Sequence, residues 1–411
     1  MPKIKPFRGI HPGKNFAGKV VLNMENLSLS DAKLIRQKNP YSYVNMLVPK
    51  LDNHFLLGSK NELAYKKINE NFEDFIDNGI LVKDPEPSIY IYQINHEGYS
   101  QTGIWTTTSI DDYLNNEVKK HELTRADREQ ALINYLQQTG IDANPVLITY
   151  RAVPQIERIL ADTVQSKPDI SYSKGNSEHN LWIINQKDVI DSIVFAFADL
   201  PATYIADGHH RAAAASLYGI QRRKLNLKHR GEEDYNFFTS VYMSTDQLRI
   251  YGFNRLIKDL KGLSVPDFLK KLELYFNITA SEKVVVPENR HEFGVYLAKK
   301  WYLIRLKPEF LRSESPVEEL DVSILQEYIF LRILNISDPR TDPSIDFMAG
   351  PLPINDLISK VDQNTFALAF ILYPTSIDQL IRVAEEGEVM PPKSTWFEPK
   401  FDVGLLIHHI N

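Results

Sequence analysis

One stretch concentrates residues able to do chemistry: Tyr204-Ile205-Ala206-Asp207-Gly208-His209-His210-Arg211, followed at once by four alanines. Asp-Gly can reverse a chain sharply, because glycine tolerates positive φ. The small residues beyond it suit a helix lying close against a sheet. Such a helix start points unpaired N–H groups and the positive end of the macrodipole outward, and phosphate is the usual anion there. Arg211 adds a planar fork suited to phosphate oxygens. His209 and His210 add donors that exchange protons near neutral pH. Asp207, the one acid of the stretch, can carry Mg²⁺ or orient a histidine. The plainer alternative is a helix cap at Asp207 with surface histidines. Two histidines and an arginine at one helix start favour phosphate.

Two further stretches carry weaker signals. In Lys119-Lys120-His121-Glu122-Leu123-Thr124-Arg125-Ala126-Asp127, Thr124 reads as an N-cap with Asp127 at N3. That accounts for the stretch without any chemistry from Glu122. No second histidine stands four residues after His121, so it is not a zincin motif. Near the C-terminus, Gly387 reads as the cap of a helix, and Lys393, Ser394 and Thr395 follow a Pro-Pro pair. An ammonium and two hydroxyls can cradle phosphate, and a polar connector would look the same.

These residues need a scaffold, and hydrophobic periodicity supplies one. Helical spacing runs over residues 61–78, 125–138, 154–164, 186–198 and 209–218, and strand patterns over 88–94, 101–107, 146–150, 181–184 and 203–206. Strand–helix alternation of this kind argues for a mixed α/β layer. The charged segment Gln221 to Asp234 reads as a domain boundary. Beyond it, strands near 236–243, 301–306, 366–373 and 403–410 alternate with helices near 265–275, 320–334 and 376–386, a second α+β unit. Residues 1–58 are Pro- and Asn-rich and read as a wrapping segment.

Composition narrows the function classes. The 411 residues carry 47 Lys+Arg against 53 Asp+Glu, a net charge of −6, which argues against a nucleic-acid partner. There is no cysteine, which removes disulfides, thiolate nucleophiles and cysteine-ligated metals. No signal-peptide pattern and no membrane-length apolar run is visible, so the expected location is cytoplasmic. Rossmann and Walker fingerprints are absent from the sequence.

Taken in order, a His-Glu pair before a helix, an Asp-Gly-His-His-Arg turn after a strand, and a Gly-Glu-Val…Lys-Ser-Thr loop resemble the motifs of the ParB/sulfiredoxin-like free serine kinases. Those enzymes phosphorylate L-serine to O-phospho-L-serine with ADP or ATP and Mg²⁺. The longer chain, with Pro6-Phe7-Arg8-Gly9 near its start, resembles domain-of-unknown-function family 1015 over essentially its whole length. The resemblance implies an α/β (α+β) fold. It has a ParB/sulfiredoxin-like mixed core at 105–233, an N-terminal extension and hairpin at 1–104, and a C-terminal α+β domain at 234–411 that closes the site. It implies Glu122 as catalytic base, with Asp207 and His209 also catalytic and Asp207 on the metal. Gly208, His209, His210 and Arg211 would hold nucleotide phosphates, and His121, Thr124, Lys393, Ser394 and Thr395 the serine substrate. Trp396 and Phe397 stand where the kinases carry Arg and His, which bears on the substrate. The expected activity is therefore nucleotide-dependent phosphorylation of free serine. A phosphoserine phosphatase on the same site, or a non-enzymatic nucleotide-binding regulator, are the alternatives. Sulfiredoxin chemistry is excluded, because its nucleophile is a cysteine.

Overall fold

The computed structural model describes residues 2–25, 27–47, 59–96, 98–312 and 314–410, the side chains of 59–61 apart. Residues 48–58 of the expected wrapping segment lie outside the described residues. The chain divides into two units, residues 1–248 with 399–411, and residues 249–398.

The first unit is built on a nine-stranded mixed sheet. From one edge its strands run Val118–Lys119, Thr203–Asp207, Val146–Tyr150, Phe237–Ser244, Tyr99–Ser109, Ile89–His96, Ser177–Ile184 and Ile170–Lys174, with Ile4–Lys5 also pairing onto Tyr99–Ser109. Val146–Tyr150 is buried at all five positions, as its unbroken β-branched and aromatic run demands. The helices Ala126–Thr139 and His209–Leu225 pack against one another. Ile91, Ile104, Ile148, Ile205, Ala212 and Ala214 belong to the core they help cover. A second apolar cluster joins Val20, Tyr43, Met46 and Phe72 of the N-terminal segment to Ile141, Val403 and Ile407.

Two expected boundaries are displaced, each for a physical reason. Residue 104 falls inside Tyr99–Ser109, a strand bonded on both sides, so residues 1–104 are no separate piece. Phe237–Ser244 was expected in the C-terminal domain. It is buried at every position and pairs parallel with Val146–Tyr150 and antiparallel with Tyr99–Ser109, at the centre of the first sheet. The division accordingly falls after Leu248 rather than after residue 233.

The second unit carries a six-stranded antiparallel sheet in the order Phe276–Ser281, Lys300–Leu306, Glu292–Leu297, Leu368–Leu372, Phe253–Ile257 and Ile345–Ala349. Arg249–Tyr251 pairs separately with Trp396–Glu398. The expected helix at 320–334 begins as Asp321–Ile324 and continues as a π-helix over Leu325–Leu331. No helix among the described residues is long and apolar enough to cross a membrane.

Candidate active site

The strand Thr203–Asp207 slips register against Val146–Tyr150 between Ile205 and Asp207. A bulge of this kind re-aims the end of a strand. Gly208 follows at φ 103°, and the helix His209–Leu225 begins at once. A Cβ at Gly208 would lie 2.8 Å from Arg211 Nε, so only glycine leaves room for the arginine that folds back over the turn. No side chain caps this helix and its first turn holds no acid, which leaves the positive end of its dipole uncompensated from within.

Arg211 is tied down by its own protein. Its Nη2 donates to Asp207 Oδ2 at 2.5 Å, and its Nη1 donates to Asn144 Oδ1 and the Pro145 carbonyl. Lys400 Nζ reaches Asp207 Oδ1 at 3.2 Å. Burial opposes ionisation of Asp207, and the two cations outweigh it, holding its pKa at about 2. Two expectations change here. A carboxylate already shared by two cations is a poor direct ligand for Mg²⁺, which needs oxygen donors in near-octahedral array. The Arg211 fork, expected to grip phosphate, is engaged as a clamp across the turn.

The histidines bind the 121–125 segment to the helix start. His209 Nε2 accepts the His121 backbone N–H at 3.4 Å, and His210 Nε2 accepts the Arg125 backbone N–H at 3.0 Å. Each imidazole used this way carries its proton on Nδ1. His209 Nδ1 then faces Glu122 Oε2 at 3.3 Å, a close approach outside strict hydrogen-bond alignment. The His121 ring meets the His209 ring edge-on, with centroids 4.4 Å apart. Burial, followed by the neighbouring His209, depresses the His121 pKa to about 3, so this ring is neutral at physiological pH. Burial works against ionisation of Glu122, but contact with His209, then His121, holds its carboxyl below the usual range. Burial also lowers His210, assisted by Arg128. The result is a half-exposed, ionised carboxylate held by a buried histidine beside a helix N-terminus.

Ligand atoms of His121, Glu122 and His209 lie within 4.8 Å of one another. Two imidazoles and a carboxylate suit zinc rather than Mg²⁺. The proton inventory of His209 weighs against even that use. Its Nε2 lone pair is taken by a backbone N–H, and its Nδ1 carries the proton that faces Glu122.

Residues 4–323 match the family model described as "Protein of unknown function (DUF1015)". The chain belongs to this family. No match is found among curated proteins. Among solved structures, this DUF1015 protein is similar to a free serine kinase in complex with AMP, at 15% identity and a TM-score of 0.35, covering 73% of this chain and 92% of that one. It is similar to a conserved hypothetical protein from Pyrococcus furiosus at 15% identity and a TM-score of 0.35, covering 73% and 95%. A third is SbnI with C-terminal truncation from Staphylococcus aureus, at 11% identity and a TM-score of 0.35, covering 73% and 87%.

In this DUF1015 member the first two sequence islands meet. His121, Glu122 and the Arg125 backbone contact the helix start at His209 and His210, across more than 80 intervening residues. Thr124, expected as the N-cap, lies one residue early. Arg125 occupies the cap position of the helix Ala126–Thr139, and no side chain bonds there. The third island belongs to the second unit. Ser394 is buried and its hydroxyl donates to the Pro391 carbonyl at 2.5 Å, so that donor is spent internally. Lys393, at φ 58°, is exposed with its ammonium 4.9 Å from the Phe253 ring, and its carbonyl accepts from Arg255. Thr395 is half-buried, and Trp396 and Phe397 form a strand with Arg249–Tyr251. Sequence reasoning missed Lys400 and Asn144. The Asn144-Pro145 pair marks a loop before a strand, but nothing near Lys400 announces an acid 193 residues away.

Proposed function

We propose that this protein is a nucleotide-dependent phosphotransferase acting on the hydroxyl of a free small amino acid, with L-serine as acceptor and ADP or ATP as donor. The observation that supports it best is the ionised Glu122 carboxylate, held by His209 beside an uncapped helix start. A serine hydroxyl placed between them would donate its hydrogen bond to Glu122. As the new O–P bond forms, that proton passes to the carboxylate and the bond to the leaving phosphate oxygen breaks. Phosphoryl transfer asks mainly for alignment and charge stabilisation, so a carboxylate of low basicity suffices to orient the nucleophile and take its proton late. The backbone at Gly208, His209 and His210 would receive the phosphates, with Arg211 and Lys400 supplying positive charge. Thr124 lines the acceptor side in this reading, and the buried His121 ring supports Glu122 and His209 from behind. His209 acts as a positioning residue for Glu122. Asp207 keeps Arg211 and Lys400 in place. No step is assigned to a protein-held Mg²⁺, since neither carboxylate arrangement fits one.

Phosphorus NMR on the purified protein with Mg²⁺, L-serine and either ADP or ATP tests the proposal. The expected result is a phosphoserine resonance that requires nucleotide. Inorganic phosphate released from O-phosphoserine alone, with no phosphoserine made from nucleotide, would replace the kinase by a phosphatase.

A further inference from the structure

The first unit holds an apolar cavity of about 430 Å³ that the reaction above leaves without a role. Pockets that enclose small organic ligands span roughly 300–1,000 Å³ and combine apolar walls with a few polar groups. Here Leu132 and Tyr135 of the helix Ala126–Thr139 form one wall, Tyr43 and Tyr65 of the N-terminal segment another, and Ala215 a third. The charged lining residues are Asp142 and Arg211.

Both are informative. Arg211 lines the cavity and also bonds Asp207 at the turn before the helix His209–Leu225, so one guanidinium borders both spaces. Asp142 Oδ2 accepts the Thr239 backbone N–H at 2.8 Å, which fixes the carboxylate and leaves Oδ1 for a ligand donor. A ligand for this cavity is therefore planar or apolar over most of its surface, offers an N–H to Asp142, and can extend an anionic arm past Arg211.

We propose that the cavity receives the base and ribose of the phosphoryl donor, with the exocyclic amino group of the base donating to Asp142 and the ring lying among Tyr43, Tyr65 and Tyr135. The phosphates run past Arg211 to the start of the helix His209–Leu225. This rests on the nucleotide-dependent reading above, and it gives the N-terminal segment a task, since Tyr43 and Tyr65 come from it.

Titration calorimetry of the full chain with ADP, inosine diphosphate and pyrophosphate tests the placement. Inosine carries a carbonyl where adenine carries its amine, so ADP should bind about tenfold more tightly, the cost of facing Asp142 with an acceptor. Asp142→Asn should bring the two nucleotides within about threefold, because an amide can donate to the carbonyl. Ala131→Trp, which fills the cavity from its wall, should weaken ADP about tenfold or more and leave pyrophosphate unchanged. Unchanged ADP affinity in Ala131→Trp, or equal losses of ADP and pyrophosphate, would overturn the placement. Should Ala131→Trp fail to fold, the comparison of ADP with inosine diphosphate in Asp142→Asn decides, and an undiminished preference for ADP refutes the role of Asp142. Wild-type protein that binds none of the three ligands would refute the nucleotide-dependent reading itself. Protein that binds ADP while both variants behave as wild type refutes the cavity alone.

Discussion

His11 and Asp84 form one histidine–carboxylate pair of the first unit, and His209 and Glu122 form another. In the first, His11 Nε2 lies 3.2 Å from Asp84 Oδ1, and the Tyr90 hydroxyl donates to Asp84 Oδ2 at 2.5 Å. The Gly9 backbone N–H in turn donates to the Tyr90 oxygen at 2.7 Å. Both carboxylate oxygens are satisfied, and His11 and Asp84 are each 8% exposed. In the second pair the histidine is buried just as deeply, but the Glu122 side chain keeps 37% of its exposure and meets His209 off-line. The same two residue types thus make a sealed strut in one place and an accessible base in the other. What separates them is the number of hydrogen bonds completed inside the protein and the access left to solvent.

The largest expected effect tests the open pair. Glu122→Gln keeps shape and removes the proton acceptor, so turnover should fall by about 10²–10⁴-fold. Urea denaturation near neutral pH should find a modest loss of stability, because the folded state favours the Glu122 charge, and that loss should be far too small to account for the fall in turnover. Full activity in this variant would make the open pair as structural as the sealed one. Tyr90→Phe tests the other side. Removing the donor to buried Asp84 should cost about 1–3 kcal/mol in urea denaturation, with the rate per folded molecule intact. A lower rate without lower stability would show that the sealed pair reaches the reaction.

Titration sharpens the contrast, because the buried histidines shift in opposite directions. His121, fully buried, has its pKa depressed to about 3, so the unfolded chain binds its proton first as pH falls below about 6.5. Stability should decline by up to about 1.4 kcal/mol per pH unit through that window, and His121→Gln should flatten the decline. His11 behaves the other way. Burial disfavours its charge, but Asp84 and the Pro12 carbonyl outweigh burial and raise its pKa. Its contribution is complete below about pH 6.5 and fades as pH rises through the elevated value. His11→Gln should therefore lower stability by a smaller, constant amount below about pH 6.5, leave the slope of the acid limb unchanged, and cost progressively less as pH rises through the elevated value. Matching pH profiles in the two variants would contradict the assignment.

Much of the local structure was legible. The strand 146–150 was expected and found with the same bounds, and the helices expected at 154–164 and 186–198 are Pro154–Thr163 and Lys187–Ala198. The helix expected at 209–218 runs on to Leu225. Gly219 lies inside it because a Cβ there would come within 2.5 Å of the Tyr235 carbonyl oxygen, a demand of close packing that looks in sequence like a stop. The strand expected at 403–410 is reduced to His408–His409 and two isolated bridges, since the tail pairs with several different segments in turn. At the site, Asp207 and Arg211 stood out by their neighbours. The use of Ser394 did not, because its acceptor is a backbone carbonyl three residues back that no pattern marks.

The sequence alone determined the strand, the reversal at Asp207-Gly208 and the alanine-rich helix, along with the absence of cysteine and the mild negative charge. Those properties are set by side-chain volume, periodicity and turn preference within a few consecutive residues. Tertiary structure decided which groups the charged side chains meet: Arg211 with Asn144 and Pro145, Asp207 with Lys400, His209 with Glu122. These partners lie 66 to 193 residues apart, and only the order of strands in the sheet and the return of the C-terminal tail bring them within hydrogen-bond reach.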